Sequence, residues 1–532
     1  MTGRRWTAAL IVTIAWAATL APARAIRQSS EFAHSAPNLV LVVTDDQRWD
    51  TLWAMPKLRS NLIDRGITFS NAFAENPACC PSRASILTGQ SSHTTGVWRN
   101  IPPFGGYKSF QDSSTLATWL DASGYRTALV GKYFNGYAGA TYVPPGWDRW
   151  VALNGGTYRY FDYKLNVDGV TTPYGTAEGD YSTDVLASYA STFIRNTPGD
   201  QPLFLTFTPN APHGVARGTA LSGPPVPAPR HADAFPSLAP WRPPSWNEQD
   251  TSDKPAHMRD LEEVHRDRFR HEQLKSLLAI DDAIERIVGA LRDAGRLGNT
   301  MIVFTSDNGL LWGEHRWARK LVPYEESIRI PLVIRYDPLT AEARTESRLV
   351  STIDLAPTLA EAAGVAAPDV DGLSLMPILA GLDPQWRQDL LVEHMQGAPE
   401  ADSVKTYCAV RTPRHLYAVY ATGERELYDL FQDPYQLTNV ASDPSQAATV
   451  DSLHRRLLTL CEPPPPGLTL PGPSVSPEPS PSSAPSLVPS PSPSLAPSPS
   501  PEPSPAPSQL PSGDPSPSPS RQPLPSSSPN SG

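Results

Sequence analysis

The run Leu39-Val40-Leu41-Val42-Val43-Thr44-Asp45-Asp46 decides the fold class of this chain. Its apolar part is continuous rather than alternating, which is typical of a strand buried on both faces of a parallel sheet. Two adjacent carboxylates then end the run. In open α/β sheets, ligands bind at the carboxyl ends of the strands. The run therefore predicts a central strand and a place where functional groups gather.

Three further apolar runs end in polar groups in the same way. Thr127–Val130 is followed by Gly131-Lys132, Leu203–Phe207 leads to His213, and Met301–Phe304 leads to Asp307-Asn308. Apolar residues recur at helical spacing from Leu274 to Leu291, ahead of the last run. Strands that alternate with helices indicate an α/β fold with a large, mostly parallel sheet flanked by helices. We therefore expect these polar groups to meet at one edge of the sheet.

The two ends of the chain differ in composition from its middle. Arg4-Arg5, an apolar stretch over residues 6–20 and Ala23-Arg24-Ala25 are typical of a secretory signal peptide over residues 1–25. Residues 463–532 contain 26 of the 60 prolines, interleaved with Ser and Ala, which favours a disordered tail. The protein is thus expected to be secreted or displayed at the cell surface. The tail could space the enzyme from the surface, contact the cell wall or surface, or carry O-glycosylation; a passive extension is the alternative.

A second stretch carries the chemistry: Cys79-Cys80-Pro81-Ser82-Arg83, with Thr88-Gly89 shortly after it. Adjacent thiols in an exported protein should be oxidised or paired, unless one of them is converted into another group. The alternative is that both are ordinary buried thiols or disulfide partners. The formal net charge of −10 argues against nucleic acid as a partner.

This second stretch resembles the signature of the sulfatase family, within the alkaline-phosphatase-like superfamily. The resemblance implies that a formylglycine-generating enzyme converts Cys79 into Cα-formylglycine (3-oxoalanine), whose hydrate is the nucleophile. Cys80 then fills a variable position of the signature. The resemblance also implies a sulfuric ester hydrolase whose substrate is a sulfated carbohydrate or an aryl sulfate.

The resemblance gives roles to the polar groups that follow the strands. A divalent cation is expected at the oxygen ligands, which suit Ca²⁺, or alternatively Mg²⁺, better than Zn²⁺. Its expected ligands are Asp45, Asp46, Asp307, Asn308 and the converted Cys79. The residues expected to hold the sulfate, stabilise its charge and move a proton are Arg83, Lys132, His213 and Lys320.

Phe134 stands where many sulfatases carry a histidine that helps to deprotonate the intermediate. The base therefore stays open among His93, His213 and His315. The string from Lys132 to Asn135 and the double cysteine resemble N-acetylglucosamine-6-sulfatases and heparan endosulfatases. This resemblance favours a 6-O-sulfated amino sugar of a glycan as the substrate.

The resemblance extends to the C-terminal part of the chain. Short strands around residues 408–430 and a helix over about 447–460 resemble the small antiparallel sheet-plus-helix unit of sulfatases. We therefore expect a sulfatase catalytic domain over residues 36–395 and a C-terminal subdomain over residues 396–462. If Cys79 is converted, Cys408 and Cys461 remain as a natural pair, and we expect a disulfide between them; two free thiols are the alternative.

Two other functions stay open at this point. A phosphonate monoester or phosphodiester hydrolase of the same superfamily would use similar residues. A non-catalytic binding protein displayed at the surface is a third possibility, although it would be expected to have lost some of the ligands and lysines.

Overall fold

The computed structural model describes residues 36–155, 158–215, 223–340, 342–397 and 404–472. The predicted signal peptide and residues 473–532 of the predicted tail lie outside these ranges. Residues 463–472 of that tail are described, and Leu468 among them is buried in a hydrophobic cluster with Cys461. Among the described residues, no helix has the length and apolar character that a membrane span needs.

The strands of the described residues, numbered in chain order, are β1 Asn38–Thr44, β2 Ile67–Phe69, β3 Ala72–Phe73, β4 Arg126–Gly131, β5 Arg149–Leu153, β6 Tyr163–Val167, β7 Val170–Tyr174, β8 Leu203–Thr208, β9 Thr300–Ser306, β10 Arg329–Ile330, β11 Leu332–Tyr336, β12 Arg344–Glu346, β13 Val350–Ser351, β14 Leu390–His394, β15 Tyr407–Arg411, β16 His415–Tyr420 and β17 Arg425–Asp429. The α-helices are α1 Pro56–Asn61, α2 Cys79–Thr88, α3 Ser92–Thr95, α4 Leu116–Asp121, α5 Ser182–Asn196, α6 Asp267–Asp293, α7 Glu325–Ile328, α8 Leu355–Ala363, α9 Met376–Leu379 and α10 Ala447–Leu460.

The main sheet has ten strands in the order β12-β2-β11-β9-β1-β8-β4-β5-β6-β7. Its central strands, β9, β1, β8, β4 and β5, are all parallel to one another. Towards the edges, β11 and β6 pair antiparallel with the central strands. The predicted α/β class is confirmed, and the parallel part of the sheet is its centre.

Helices cover both faces of the sheet. Along β1, Val40 and Val42 belong to one hydrophobic cluster with α5 and α6, whereas Leu39 and Leu41 belong to another with α4 and α8. Alternate residues of a strand point to opposite faces, so every apolar residue of β1 is buried. This is why the sequence of β1 is continuously apolar.

The C-terminal sheet is antiparallel, in the order β14-β15-β16-β17. Helix α10 packs on it, and the predicted disulfide between Cys408 of β15 and Cys461 just after α10 is present. The sheet begins at Leu390, before the predicted boundary at residues 395 and 396. The division into two domains stays a prediction. A small three-stranded sheet, β10-β3-β13, completes the fold.

Candidate active site

The order of the central strands brings the predicted polar groups to one edge of the sheet. Strands β9, β1, β8 and β4 are direct neighbours in this order. Because all four run in the same direction, their carboxyl ends lie side by side. The residues that follow them are Asp307 and Asn308 after β9, Asp45 and Asp46 after β1, His213 after β8, and Lys132 after β4.

Asp45 and Lys132 form a fully buried ion pair between neighbouring segments. Lys132 Nζ donates a hydrogen bond to Asp45 Oδ2 at 2.5 Å. Burial alone would raise the pKa of Asp45, but the positive charge of Lys132, with those of His213 and Arg83, lowers it to about 2. Asp45 is therefore a carboxylate at any physiological pH, and the ammonium of Lys132 is held in place beside it.

Asp46 is held in the left-handed region of backbone space, with φ 64°. Its backbone N–H donates to Asp307 Oδ1 at 3.1 Å, and its Oδ1 accepts from Asn308 Nδ2 at 2.7 Å and from Lys320 Nζ. Burial would raise the pKa of Asp46, and Lys320, followed by His213, lowers it. The left-handed backbone conformation of Asp46 thus places its carboxylate in the same site as that of Asp45.

Cys79 is the first residue of α2, and its side chain is buried among these charges. Cys79 Sγ lies 3.6 Å from Asp45 Oδ1, and Lys320 Nζ donates to Sγ at 2.9 Å. Burial raises the pKa of the Cys79 thiol to about 12, although Lys132 and Lys320 act in the opposite direction. Since the thiolate is the nucleophilic form of a cysteine, unmodified Cys79 is a poor nucleophile near neutral pH.

Arg83 lies one helical turn after Cys79 in α2 and links both sides of the site. Its Nε donates to Asp307 Oδ2 at 2.9 Å, and its Nη1 donates to the Lys132 carbonyl at 3.1 Å. Burial would lower the pKa of Arg83, but Asp307 and Asp45 raise it above its usual range. Among the described residues, its buried Nη2 has no hydrogen-bond partner, so one N–H of a fixed cation is available to an anion.

His213 and Tyr158 form a stacked pair beside Asp46. Their ring centroids are 4.2 Å apart, and His213 Nε2 lies 3.4 Å from Asp46 Oδ2. A carbonyl oxygen only accepts, so His213 Nδ1 carries the proton in its 2.6 Å hydrogen bond to the Gly214 carbonyl. The other nitrogen, Nε2, is thus the one that faces the site.

The sequence did not single out Tyr158. Lys132 Nζ lies 5.3 Å from the centre of its ring, and Asn135 Nδ2 donates to its hydroxyl at 2.9 Å. The aromatic ring therefore orients both the lysine and the histidine of the site. It lies in an irregular segment between β5 and β6, where no motif or periodicity marks it.

The three candidate histidines lie in different surroundings. His315 is buried with Nδ1 at 2.6 Å from Glu248 Oε2, and His93 Nδ1 lies 3.2 Å from Glu393 Oε2. Of the three, His213 is the one whose ring nitrogen lies against Asp46. Phe134 is fully buried and stacks on Phe110 at 4.6 Å, which is a packing role.

The chemistry of the donor set fits a hard divalent cation. Lys320 Nζ contacts Asp46 Oδ1, Asn308 Oδ1 and Cys79 Sγ, so these groups already form a cradle for positive charge. Ligand atoms of Asp45, Asp46, Cys79 and His213 all lie within 4.8 Å of one another. Each oxygen of Asp307 accepts one hydrogen bond, from Arg83 Nε or from the Asp46 N–H, and keeps a lone pair that could bind a cation. Carboxylate and carboxamide oxygens suit Ca²⁺ or Mg²⁺. The assignment of individual ligands stays a prediction.

Two family profiles cover this site and the C-terminal sheet. The sulfatase profile matches residues 37–365. The chain belongs to the sulfatase family. The profile of the N-sulphoglucosamine sulphohydrolase C-terminal region matches residues 313–462 of this sulfatase.

Relatives of this sulfatase include proteins named N-acetylglucosamine-6-sulfatase and extracellular sulfatase. It is 32% identical over 496 residues to the N-acetylglucosamine-6-sulfatase of Homo sapiens, covering 82% of this chain and 87% of the relative. It is 32% identical over 388 residues to the extracellular sulfatase SULF-1 homolog of Drosophila melanogaster, covering 69% of this chain. The chain spans 34% of the length of that homolog and 53% of that of the Caenorhabditis elegans Sulf-1 homolog.

Solved structures show the same fold. One is a complex with its substrate D-glucosamine-2-N,6-O-disulfate; it is 25% identical, has a TM-score of 0.71, and the match covers 80% of this chain and 98% of that chain. The phosphonate monoester hydrolase of Agrobacterium radiobacter is 23% identical with a TM-score of 0.59, covering 80% of this chain and 95% of that chain. At that identity, the second similarity concerns the fold alone.

Proposed function

We propose that this sulfatase hydrolyses sulfate esters and that its natural substrate is a 6-O-sulfated amino sugar of a glycan. The observation that carries the proposal is a buried group of three cations in one site. Lys320 Nζ donates to Cys79 Sγ, while Arg83 Nε and Lys132 Nζ donate to the carboxylates of Asp307 and Asp45. Three fixed cations in a buried site provide strong electrostatic stabilisation for a group that gains negative charge during the reaction. The substrate class is supported by the relatives named N-acetylglucosamine-6-sulfatase and by the substrate-bound neighbour.

Two groups would be added to the chain before catalysis. Asp45, Asp46, Asp307 and Asn308 would hold a divalent cation, and Cys79 would be converted to formylglycine; together these supply a charge-stabilised nucleophile. Conversion replaces the sulfur of Cys79 by a carbonyl oxygen and removes two hydrogens from the side chain. The high pKa of the Cys79 thiol supports this part of the proposal, because an unmodified thiol would be a weak nucleophile there.

The side chains around position 79 would have separate roles in sulfate binding and proton transfer. Arg83 would direct Nη2, which lies 3.9 Å from Asp45 Oδ2 and makes no hydrogen bond with the described residues, at the sulfate. Lys132, oriented by Asp45 and Tyr158, would neutralise a second sulfate oxygen. Burial would lower the pKa of Lys320, but Asp46 and the other nearby negative groups raise it well above its usual range. Lys320 would therefore remain charged and stabilise the leaving oxygen. His213, protonated on both ring nitrogens for this step, would give its Nε2 proton to that oxygen and keep its Nδ1 proton on the Gly214 carbonyl.

Rates on sulfate esters, compared with rates on phosphodiesters and phosphonate monoesters, test the reaction type. The purified protein should hydrolyse an aryl sulfate and should release sulfate from N-acetylglucosamine-6-sulfate faster than from 2-O- or 4-O-sulfated sugars. A strong preference for aryl phosphodiesters or phosphonate monoesters would overturn the sulfatase assignment. Equal rates on all sulfated sugars would overturn the substrate class alone.

Peptide mass spectrometry tests the nucleophile. The peptide that contains residues 79–83 should carry the aldehyde in active protein. Full activity with unmodified Cys79 would contradict the proposed chemistry. We also infer export from residues 1–25, so the active protein should be recovered outside the cytoplasm without these residues.

A further inference from the structure

A second cluster of metal-ligating side chains lies outside the candidate active site. Glu75 lies between β3 and α2, His93 belongs to α3, and Glu393 belongs to β14. One ligand atom from each of the three lies within 4.8 Å of the other two. We call these residues the Glu75 cluster.

The backbone holds the three residues together without a ligand. The Glu393 N–H donates to the Glu75 carbonyl at 2.8 Å, and the His93 N–H donates to Glu393 Oε1 at 3.0 Å. His93 Nδ1 lies 3.2 Å from Glu393 Oε2. The cluster is therefore built by three separate segments of chain.

One atom of the cluster lacks a partner. Glu75 is 2% exposed, and within the described part of the chain its Oε2 has no hydrogen-bond partner. A buried carboxylate oxygen without a donor is costly, and such groups are normally hydrogen-bonded or bound to a metal. Burial, and then repulsion from Glu393, raises the pKa of Glu75 well above its usual range.

The surrounding charges do not compensate the cluster. A cavity of about 360 Å³ opens onto Glu75 and His93, and two arginines line it. Both are engaged elsewhere, because Arg387 pairs with Asp354 and Arg456 pairs with Asp389. Asp371 adds a further carboxylate at the same cavity. Negative charge thus exceeds positive charge, which favours a bound cation.

We propose that Glu75, His93 and Glu393 form a second divalent metal site, selective for Zn²⁺ over Ca²⁺ and Mg²⁺. An imidazole nitrogen with two carboxylates suits Zn²⁺, whereas the oxygen-only ligands of the candidate active site suit the harder ions. Zinc ligands lie about 2.0–2.2 Å from the metal and hence at most about 4.4 Å apart, so small side-chain rotations suffice. The cavity leaves room for a fourth ligand from water.

The site would act as a clamp between two parts of the fold. Glu75 lies four residues before Cys79, and Glu393 lies on the first strand of the C-terminal sheet. A bound Zn²⁺ would fix the segment that carries Cys79 against β14. Binding to the folded state alone raises stability in proportion to the logarithm of free metal concentration.

Equilibrium dialysis against Zn²⁺ with excess Ca²⁺, followed by elemental analysis, tests the site. The parent protein for this measurement is the Asp46→Asn variant. This substitution removes a predicted cation ligand from the candidate active site, so the bound Zn²⁺ reports on the Glu75 cluster. We expect this parent to retain one equivalent of Zn²⁺. Adding Glu75→Gln or His93→Gln should weaken binding by more than about tenfold, since even loss of a partner behind a metal ligand costs about 10–100-fold. Glu462→Gln, the same change elsewhere in the cavity, should have no effect.

Thermal unfolding provides a readout that is independent of activity. Zn²⁺ should raise the Tm of the wild type and of Glu462→Gln, and should not raise that of Glu75→Gln or His93→Gln. The proposal is overturned if the Asp46→Asn parent binds no Zn²⁺, or if both cluster variants bind it as well as the parent does. In either case Glu75 would be a protonated acid next to Glu393.

Discussion

At the scale of single residues, the two adjacent cysteines occupy different surroundings. Cys79 Sγ contacts Lys320 and Asp45, whereas Cys80 Sγ accepts a hydrogen bond from the Asn135 N–H at 3.2 Å. The two residues are consecutive in α2, so their side chains point in different directions. The first thiol faces the candidate active site, and the second packs in a hydrophobic cluster. This difference supports the proposed role of Cys79 as the reacting residue and of Cys80 as a packing residue.

Substitution of each cysteine should give opposite results. Cys79→Ala should lower kcat/KM for an aryl sulfate by more than about 10³-fold, because it removes the proposed nucleophile. Cys80→Ser keeps an acceptor for the Asn135 N–H, so it should leave kcat/KM nearly unchanged and lower the free energy of unfolding by about 1 kcal/mol. Steady-state kinetics and chemical denaturation measure both. Comparable activity losses in the two variants would contradict the proposed division of roles.

The raised pKa of Glu75 predicts a pH-dependent stability in zinc-free protein. In the unfolded chain Glu75 has an ordinary pKa near 4.5, and in the folded protein its pKa is higher. The folded state thus binds the proton more tightly, and stability falls as pH rises above about 4.5. Glu75→Gln cannot lose a proton, so it should be more stable than the wild type at neutral pH and equally stable below pH 4.5. Urea denaturation at several pH values measures this difference, and a pH-independent difference would contradict it.

The sequence located most of the candidate site, because its residues directly follow buried strands. Asp45, Lys132 and Asp307 are marked by the apolar runs before them. Tyr158 had no such mark, since its place against His213 results from packing between segments distant in sequence. The roles of all these residues stay predictions until the variants are measured.

At the scale of elements, the end of β4 depends on a glycine. Gly131 has φ 134°, and a Cβ at this position would lie 2.0 Å from the Thr208 carbonyl oxygen. The close approach of β4 and β8 therefore requires a residue without a side chain just before Lys132. This requirement sets the position of the lysine relative to Asp45.

Alanine substitution at two glycines should have opposite effects on stability. Gly131→Ala should destabilise the protein by about 3 kcal/mol or more, through overpacking and backbone strain, and should lower activity with it. Gly289 lies within α6 with open space around its Cβ position, so Gly289→Ala should stabilise by about 0.5–1 kcal/mol. Denaturation midpoints measure both, and equal effects would contradict the structural reason.

The disulfide between Cys408 and Cys461 joins β15 to the residue after α10 across 53 positions. Closing a loop of this length restricts the unfolded chain and corresponds to about 4 kcal/mol in the chain-entropy description. The double variant Cys408→Ser/Cys461→Ser should therefore unfold at a lower denaturant concentration. Wild type treated with a reductant is the control and should unfold like the double variant. An unchanged midpoint would show that helix packing alone holds the C-terminal sheet.

The sequence pattern did not predict strands β6 and β7, which lie at one edge of the main sheet. Strands β6 and β7 form a hairpin at Asp168-Gly169, where both residues have positive φ. An Asp-Gly pair between short strands is a hairpin signal. However, β7 is largely exposed and contains Pro173, so it lacks the apolar run by which the central strands were predicted.

At the scale of the whole molecule, the last part of the chain differs in composition from the rest. The hydrophobic clusters, the candidate active site and the disulfide all lie between residues 36 and 472. Residues 473–532 contain no Phe, Trp, Tyr, Ile or Met. A segment with so little apolar surface gains little free energy from packing against a folded domain.

Deletion of residues 473–532 should therefore leave the Tm and the kcat/KM for a small aryl sulfate unchanged. Activity on soluble N-acetylglucosamine-6-sulfate should also be unchanged, because the cations proposed to bind the sulfate precede this segment. Retention on intact cells or isolated cell walls is the property that should fall if the tail contacts that surface. Differential scanning calorimetry, steady-state kinetics and a cell-fractionation assay separate these effects. A lower Tm after deletion would mean that the tail packs on the enzyme, and its proline-rich sequence would then be part of the fold.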